Sequence, residues 1–217
     1  MVLVFDMDDT LYDELSYVRS GFASVARMLE PICEVAAAIL LKDALALLKH
    51  KGRGRVFDRL LEKNGCHSVS LATRCVRHYR THEPRIALWP EAALCLKRHA
   101  GLSLYVVSDG NAVAQQAKAR ALGLHRLTKR VLLTHRFGVR HAKPSPYCFE
   151  RIAQWENARP ESVTYIADNP AKDFVGIRTQ GFRTIRVRTG QYAEAKAKRG
   201  YDAERTVASL AELDFTA

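Results

Sequence analysis

Apolar positions along this chain gather into five short β-like runs: Val2 to Phe5, Leu104 to Val107, Val131 to Leu133, Val163 to Ala167 and Thr184 to Val187. Helical stretches lie between them. That alternation predicts a doubly wound α/β fold, a parallel five-stranded Rossmann-like sheet covered by helices on both faces. The gaps are uneven. About a hundred residues separate the first run from the second, whereas each later gap holds only one helix and its loops.

The long interval reads as helical almost throughout. Spaced apolar residues mark Ser16 to Glu30, Glu34 to His50, Arg55 to Asn64 and Ser70 to Thr81, with Pro31 and Asn64-Gly65 as punctuation. No single crossover needs four helices, so the interval predicts an inserted helical domain over residues 13–88. Residues 1–12 and 89–217 then form the α/β core, with Trp89-Pro90 marking the return and a helix from Glu91 to His99. Helices are also expected over 111–122 and 146–157, with Asn111 and Ser145 as N-caps, and a short closing helix over Val207 to Leu213.

Size fits this plan, since 217 residues suffice for one substantial core and a smaller insert. With 34 Lys and Arg against 23 Asp and Glu, the net charge of +11 favours anionic partners: nucleic acid, an acidic membrane surface or phosphorylated metabolites. The excess is scattered. Its densest stretch, Lys49 to Arg59, is broken by Gly52, Gly54 and Val56-Phe57, and no aromatic-basic interleaving marks a nucleic-acid platform. Five cysteines, odd in number and without a Cys-x-x-Cys pair, indicate neither a disulfide framework nor a zinc knuckle and point to a reducing compartment. The first strand leaves no room for a leader, and the longest apolar run, Val35 to Leu41, falls far short of a membrane span. A cytoplasmic protein without membrane contact is expected.

In an open parallel sheet the ligand site lies beyond the carboxyl ends of the strands, so the test is what each strand delivers as it ends. The first delivers Asp6-Met7-Asp8-Asp9-Thr10, and the second Ser108-Asp109-Gly110-Asn111. The third leads to Lys143-Pro144-Ser145-Pro146, and the fourth delivers Asp168-Asn169-Pro170-Ala171-Lys172-Asp173. Of the eight histidines only His78 and His82 stand at the His-x-x-x-His spacing, no Gly-x-Ser-x-Gly occurs, and Gly52-Arg53-Gly54-Arg55 lacks the end of a P-loop.

In order and position these four segments resemble the motifs of the haloacid dehalogenase superfamily. The first matches that family's Asp-x-Asp-x-Thr at Asp6, Asp8 and Thr10. Ser108 matches the strand-terminal Ser or Thr, Lys143 the lysine before a helix, and Asp168 with Asp173 the acidic pair. One departure is Ala167, where the fourth motif usually reads Gly-Asp. A helical insert after the first motif is similar to the family's cap. The resemblance implies a phosphoryl-transfer enzyme using Mg²⁺, with Asp6, the backbone carbonyl of Asp8 and Asp168 as ligands and Asn169 and Asp173 behind them.

The residue types suit that chemistry. A carboxylate can attack phosphorus and form an aspartyl-phosphate, and Asp6 is the candidate. Asp8 is placed to protonate the leaving alkoxide and then to deprotonate the attacking water. Lys143, the Ser108 hydroxyl and the N–H groups of Asp109 and Gly110 would hold the phosphoryl oxygens, while Thr10 orders the first loop. Within the family, Asp8 argues against dehalogenation, where the halide needs no acid, and no cap lysine is marked as a Schiff base. A phosphatase for a small anionic phosphomonoester is therefore expected: a sugar phosphate, a nucleotide or a phosphorylated organic acid. A phosphomutase, a polynucleotide end phosphatase and a non-catalytic nucleic-acid-binding protein are the alternatives. Between residues 14 and 85, 13 Lys or Arg less 7 Asp or Glu leave a surplus of 6, so the cap suits an acidic molecule. Arg53 and Arg55 are its specificity candidates, followed by Tyr12, Tyr17 and Arg19.

Overall fold

The computed structural model describes residues 1–215, so the last two residues of the expected core lie outside the described residues. Val2–Phe5 forms β1, buried along its whole length as a strand covered on both faces must be. Five further strands run parallel to it: β2 Ser103–Ser108, β3 Arg130–Leu133, β4 Val163–Ala167, β5 Arg183–Val187 and β6 Arg205–Val207. Their order is β3-β2-β1-β4-β5-β6. The sheet therefore has six strands and not the expected five. β6 replaces the start of the expected closing helix, and among the described residues only a 3-10 turn at Leu210–Glu212 follows it. A three-residue edge strand carrying Arg205 and Thr206 has too little apolar pattern to show in sequence.

Chain order reverses at β1, whose neighbours are β2 and β4. Phe5 is in register with Val106 on one side and Ile166 on the other, so β2 runs two residues and β4 one residue past the end of β1. The Asp6 N–H continues the ladder by donating to the Ile166 carbonyl at 2.9 Å. This is the topological switch point where an open α/β sheet has its crevice.

The chain separates into two compact units, one of Met1–Glu14 with the chain from Ile86 onward, the other Leu15–Arg85. The second is built on α1 Glu14–Cys33, α2 Ala37–Lys51, α3 Val56–Lys63 and α4 Val69–Thr81. Val18, Phe22, Val25 and Leu29 form the buried stripe of α1, and Leu40, Leu60, Leu61 and Cys75 pack in the same core. α1 runs through Pro31, which removes one backbone donor in the last turn without ending the helix. Gly21 lies where a Cβ would come within 2.5 Å of the Tyr79 ring, so its missing side chain admits the aromatic.

Cys33, at the end of α1, is disulfide-bonded to Cys66, after α3. This corrects the expectation of no disulfide, and with it the inference of a reducing compartment drawn from the cysteines. The pair closes across 33 residues of sequence, a separation no motif announces. Cys75, Cys95 and Cys148 are free and buried. Among the described residues no helix is long and apolar enough to cross a membrane.

Beyond the insert, α5 Pro90–Arg98, α6 Ala112–Ala121, α7 Leu124–Leu127, α8 Tyr147–Trp155 and α9 Val175–Arg178 complete the first unit. Pro90 opens α5 at the position where a missing N–H does no harm, and the Trp89 N–H donates to the Leu11 carbonyl at 3.0 Å. Asn111 caps α6, accepting from the N–H groups of Val113 and Ala114 at 3.2 Å each. Ser145 is not the cap of α8. Pro146 holds that position, and the Ser145 hydroxyl meets the Tyr147 N–H only at 3.4 Å.

Gly176, in α9, supports the loop that carries Lys143. A Cβ there would lie 1.7 Å from the Pro144 carbonyl oxygen, a backbone atom that cannot swing aside. Gly176→Ala is expected to lower stability by about 3 kcal/mol, the upper end for overpacking, as measured by chemical denaturation.

Candidate active site

Asp6 leaves β1 almost fully buried, and its Oδ1 lies 2.9 Å from the Lys143 ammonium. The same ammonium reaches Asp173 Oδ1 at 2.8 Å and the Tyr165 hydroxyl at 2.9 Å. All three of its N–H donors are thereby committed. Tyr165 passes the link on, donating to Asp173 Oδ1 at 3.2 Å, while Asp173 Oδ2 accepts the Asn169 N–H at 3.0 Å. Asp173 is thus held at both oxygens by protein donors. Two carboxylates and a phenol around one buried lysine push its pKa well above the ordinary value against the effect of burial.

Asp168 follows β4, its Oδ1 accepting from the Thr10 hydroxyl at 3.2 Å. The carboxylates of Asp6, Asp168 and Asp173 each place an oxygen within 4.8 Å of the others. Burial, then the charges of Asp6 and Asp173, pushes the Asp168 carboxyl up to about 9. Burial likewise lifts Asp6 to about 6, although Lys143 pulls the other way. Three carboxylates share one lysine, so their ionised forms are short of positive charge. An all-oxygen donor set of this kind fits Mg²⁺.

Asp8 has a different environment. Its Oδ1 accepts from the Tyr12 hydroxyl at 2.5 Å and the Lys118 ammonium at 2.8 Å, and its Oδ2 from the Gln115 amide at 2.7 Å. Burial opposes ionisation, but the charge and hydrogen bond of Lys118, with those of Tyr12 and Gln115, hold its carboxyl below the ordinary range.

The loop between these acids is fixed from the far end of the chain. Asp9 adopts φ +54°, and its carboxylate accepts the N–H groups of Glu14 at 2.9 Å and Gln191 at 3.1 Å. Its carbonyl accepts from the Thr189 hydroxyl at 2.5 Å. Gly190, at φ +59°, has no room for a Cβ, which would come 2.2 Å from the Asp9 side chain.

Ser108 ends β2 buried, its hydroxyl accepting from Gln115 at 2.7 Å. Asp109 faces the third strand end, taking the Thr134 hydroxyl at 2.7 Å and the Lys143 N–H at 3.1 Å on Oδ1. Lys143, then Lys172 at 3.5 Å, outweigh burial and hold the Asp109 carboxyl below its usual range. Gly110, at φ +123°, turns the backbone into α6.

The structure thus brings Asp6, Lys143, Asp168 and Asp173 into contact, with Asp8, Thr10, Ser108, Asp109 and Gly110 on the adjoining strand ends. Asn169 serves its own turn, its side-chain oxygen accepting the Ala171 N–H at 2.9 Å. Tyr12 is buried and bound to Asp8, and the buried Tyr17 donates its hydroxyl to the Tyr79 carbonyl at 3.3 Å. Arg53 and Arg55 stand in the helical unit. With Arg80 they line a cavity of about 360 Å³ floored by Phe22, Phe57 and Tyr79, and Arg55 pairs with Glu62 at 3.5 Å. Tyr165, Gln115 and Lys118 escaped the sequence reading. Tyr165 sits within an apolar strand, and Gln115 and Lys118 look like the solvated face of an ordinary helix.

Comparison with known proteins agrees with this architecture. A family model described as haloacid dehalogenase-like hydrolase matches residues 1–181. A glyceraldehyde 3-phosphate phosphatase of Methanopyrus kandleri is 28% identical over 209 residues, covering 92% of this chain and 89% of the relative. A phosphoserine phosphatase of Thermus thermophilus is 31% identical over 150 residues, 68% of this chain and 59% of its own. Among solved structures, a 2-haloacid dehalogenase of Pseudomonas syringae superposes with TM-score 0.64 at 23% identity, covering 97% of this chain and 96% of the other. The hydrolase YfnB of Bacillus subtilis, solved bound to magnesium, gives 0.65 at 18%, covering 96% and 94%.

Proposed function

This chain belongs to the haloacid dehalogenase-like hydrolases, and we propose that within that family it is a Mg²⁺-dependent phosphatase of small phosphomonoesters working through an aspartyl-phosphate. The observation that carries the reading is the pairing at one strand end: Asp6 against Lys143 at 2.9 Å, and Asp8 two residues on in a cage of donors. An acid in Asp8's place is what an alkoxide needs and a halide does not.

In the first half-reaction an Asp6 oxygen bonds to phosphorus as the ester P–O bond breaks. The bond's electron pair stays on the leaving oxygen, which takes a proton from Asp8. In the second, Asp8 takes a proton from water as the water oxygen bonds to phosphorus and the P–O bond to Asp6 breaks. Held ionised in the resting site, Asp8 is ready as that base. The negative charge of a bound phosphate favours the proton it must carry in the first half. Lys143 fixes Asp6 and Asp173, and the Ser108 hydroxyl with the N–H groups of Asp109 and Gly110 receives the phosphoryl oxygens. Asp6, Asp168 and the Asp8 carbonyl would hold Mg²⁺, which supplies the positive charge that lets two carboxylates face a phosphate dianion.

The named relatives act on glyceraldehyde 3-phosphate and phosphoserine, and substrates of that three-carbon size are the ones we assign. Phosphate release should be screened with Mg²⁺ on these two compounds, other sugar phosphates, nucleoside monophosphates, and oligonucleotide 3′- and 5′-phosphates. Turnover of small esters, lost on adding chelator and regained with Mg²⁺, is the expected result. Release from no ester, or release indifferent to chelator, would overturn the assignment. Product analysis separates hydrolysis from mutase transfer.

A further inference from the structure

Gln115 and Lys118 stand one helical turn apart on the face of α6 that enters the site, only 3% and 4% exposed. A buried ammonium is costly unless it is paired. Lys118 is paired twice, with Asp8 Oδ1 at 2.8 Å and Glu14 Oε1 at 3.8 Å. Gln115 spends both amide hydrogens inside the site, on Asp8 Oδ2 at 2.7 Å and Ser108 Oγ at 2.7 Å. Since Tyr12 also donates to Oδ1, Asp8 receives three donors on two oxygens from two different elements. That many constraints define the plane of its carboxylate.

We propose that Lys118 and Gln115 are positioning residues of the phosphoryl-transfer reaction: they fix Asp8 for proton delivery to the leaving oxygen, and Gln115 ties it to the phosphoryl-binding Ser108. The inference rests on the phosphatase reading and adds two residues to it. It accounts for a lysine and a glutamine inside a helix whose other polar side chains have no such task. The step itself is unchanged. As the P–O bond breaks, its electron pair goes to the leaving oxygen, and Asp8 gives that oxygen a proton.

A leaving group that needs no proton separates positioning from mere packing. kcat/KM reports the steps through leaving-group departure and excludes the later hydrolysis. Lys118→Met is expected to lower kcat/KM for an alkyl phosphate about 10²-fold, the scale of a misplaced catalytic group. For p-nitrophenyl phosphate, whose phenolate leaves without an acid, the loss should stay below about threefold. Gln115→Met, which keeps volume and removes the donors, should lose more on the alkyl phosphate than on p-nitrophenyl phosphate, its release of Ser108 costing both esters alike, and serves if the lysine variant folds poorly. In an Asp8→Asn background Lys118→Met should cost nothing further. Equal losses on both esters in folded protein, or an undiminished effect in the Asp8→Asn background, would overturn the inference while leaving the enzyme a phosphatase. A wild-type protein that turns over no alkyl phosphate would instead overturn the functional reading.

Discussion

Asp6→Asn should abolish phosphate release, by on the order of 10³-fold or more in kcat, without loss of fold. The amide keeps the shape of the carboxylate and cannot form the aspartyl-phosphate. Stability should move the other way. A carboxyl raised from 3.8 to about 6 by burial opposes folding by roughly 3 kcal/mol when ionised. The sign follows from linkage: the folded protein favours protonated Asp6, an advantage complete below about pH 4 and lost as pH rises through about 6. In chelator-treated protein the melting temperature of Asp6→Asn should therefore match wild type near pH 4. It should exceed wild type by neutral pH. Turnover retained by the folded variant would remove Asp6 from the nucleophile's place.

Lys143→Met should have the largest effect on folding. Its ammonium holds Asp6 at 2.9 Å and Asp173 at 2.8 Å with the side chain 1% exposed. Methionine fills much of the volume and leaves two buried carboxylates without their cation, a defect of about 3–5 kcal/mol. Urea denaturation at neutral pH measures it. The loss should shrink in acid, where the carboxylates protonate, and that pH dependence separates a charge defect from a packing defect. A cost under 1 kcal/mol at neutral pH would mean that the lysine serves a bound ligand and not the architecture.

The parts of the fold legible in sequence were those with a one-dimensional signature. β1 and β4 were readable to the residue because their apolar runs stop abruptly at Asp6 and Asp168. Asn111 was readable as a cap for a similar reason, since its partners lie two and three residues away. β6 was not, because a three-residue edge strand with one buried side chain carries no period. Nor was the Cys33–Cys66 pair, formed between the end of α1 and the loop after α3, which only the helical packing brings together. Of the candidate site, Asp6, Asp8 and Asp168 are marked by the strand ends they follow, and Lys143 and Asp173 by the motifs they match. Gln115 and Lys118 were hidden, because the helical spacing that turns them inward is the spacing of a solvated stripe. Only burial distinguishes the two.

The loop that presents Asp6 and Asp8 is fastened by residues that come last. Thr189 and Gln191 bind Asp9, and Gly190 leaves the space in which Asp9 sits. The region shared with the family model ends at residue 181, ahead of all three. A chain cut there would retain every acidic and lysine motif and still lose the fastening of its first loop. The stretch that identifies the family therefore stops short of the residues that hold its first motif in place, and changes in the segment after β5 are expected to reach Asp6 and Asp8 through Asp9.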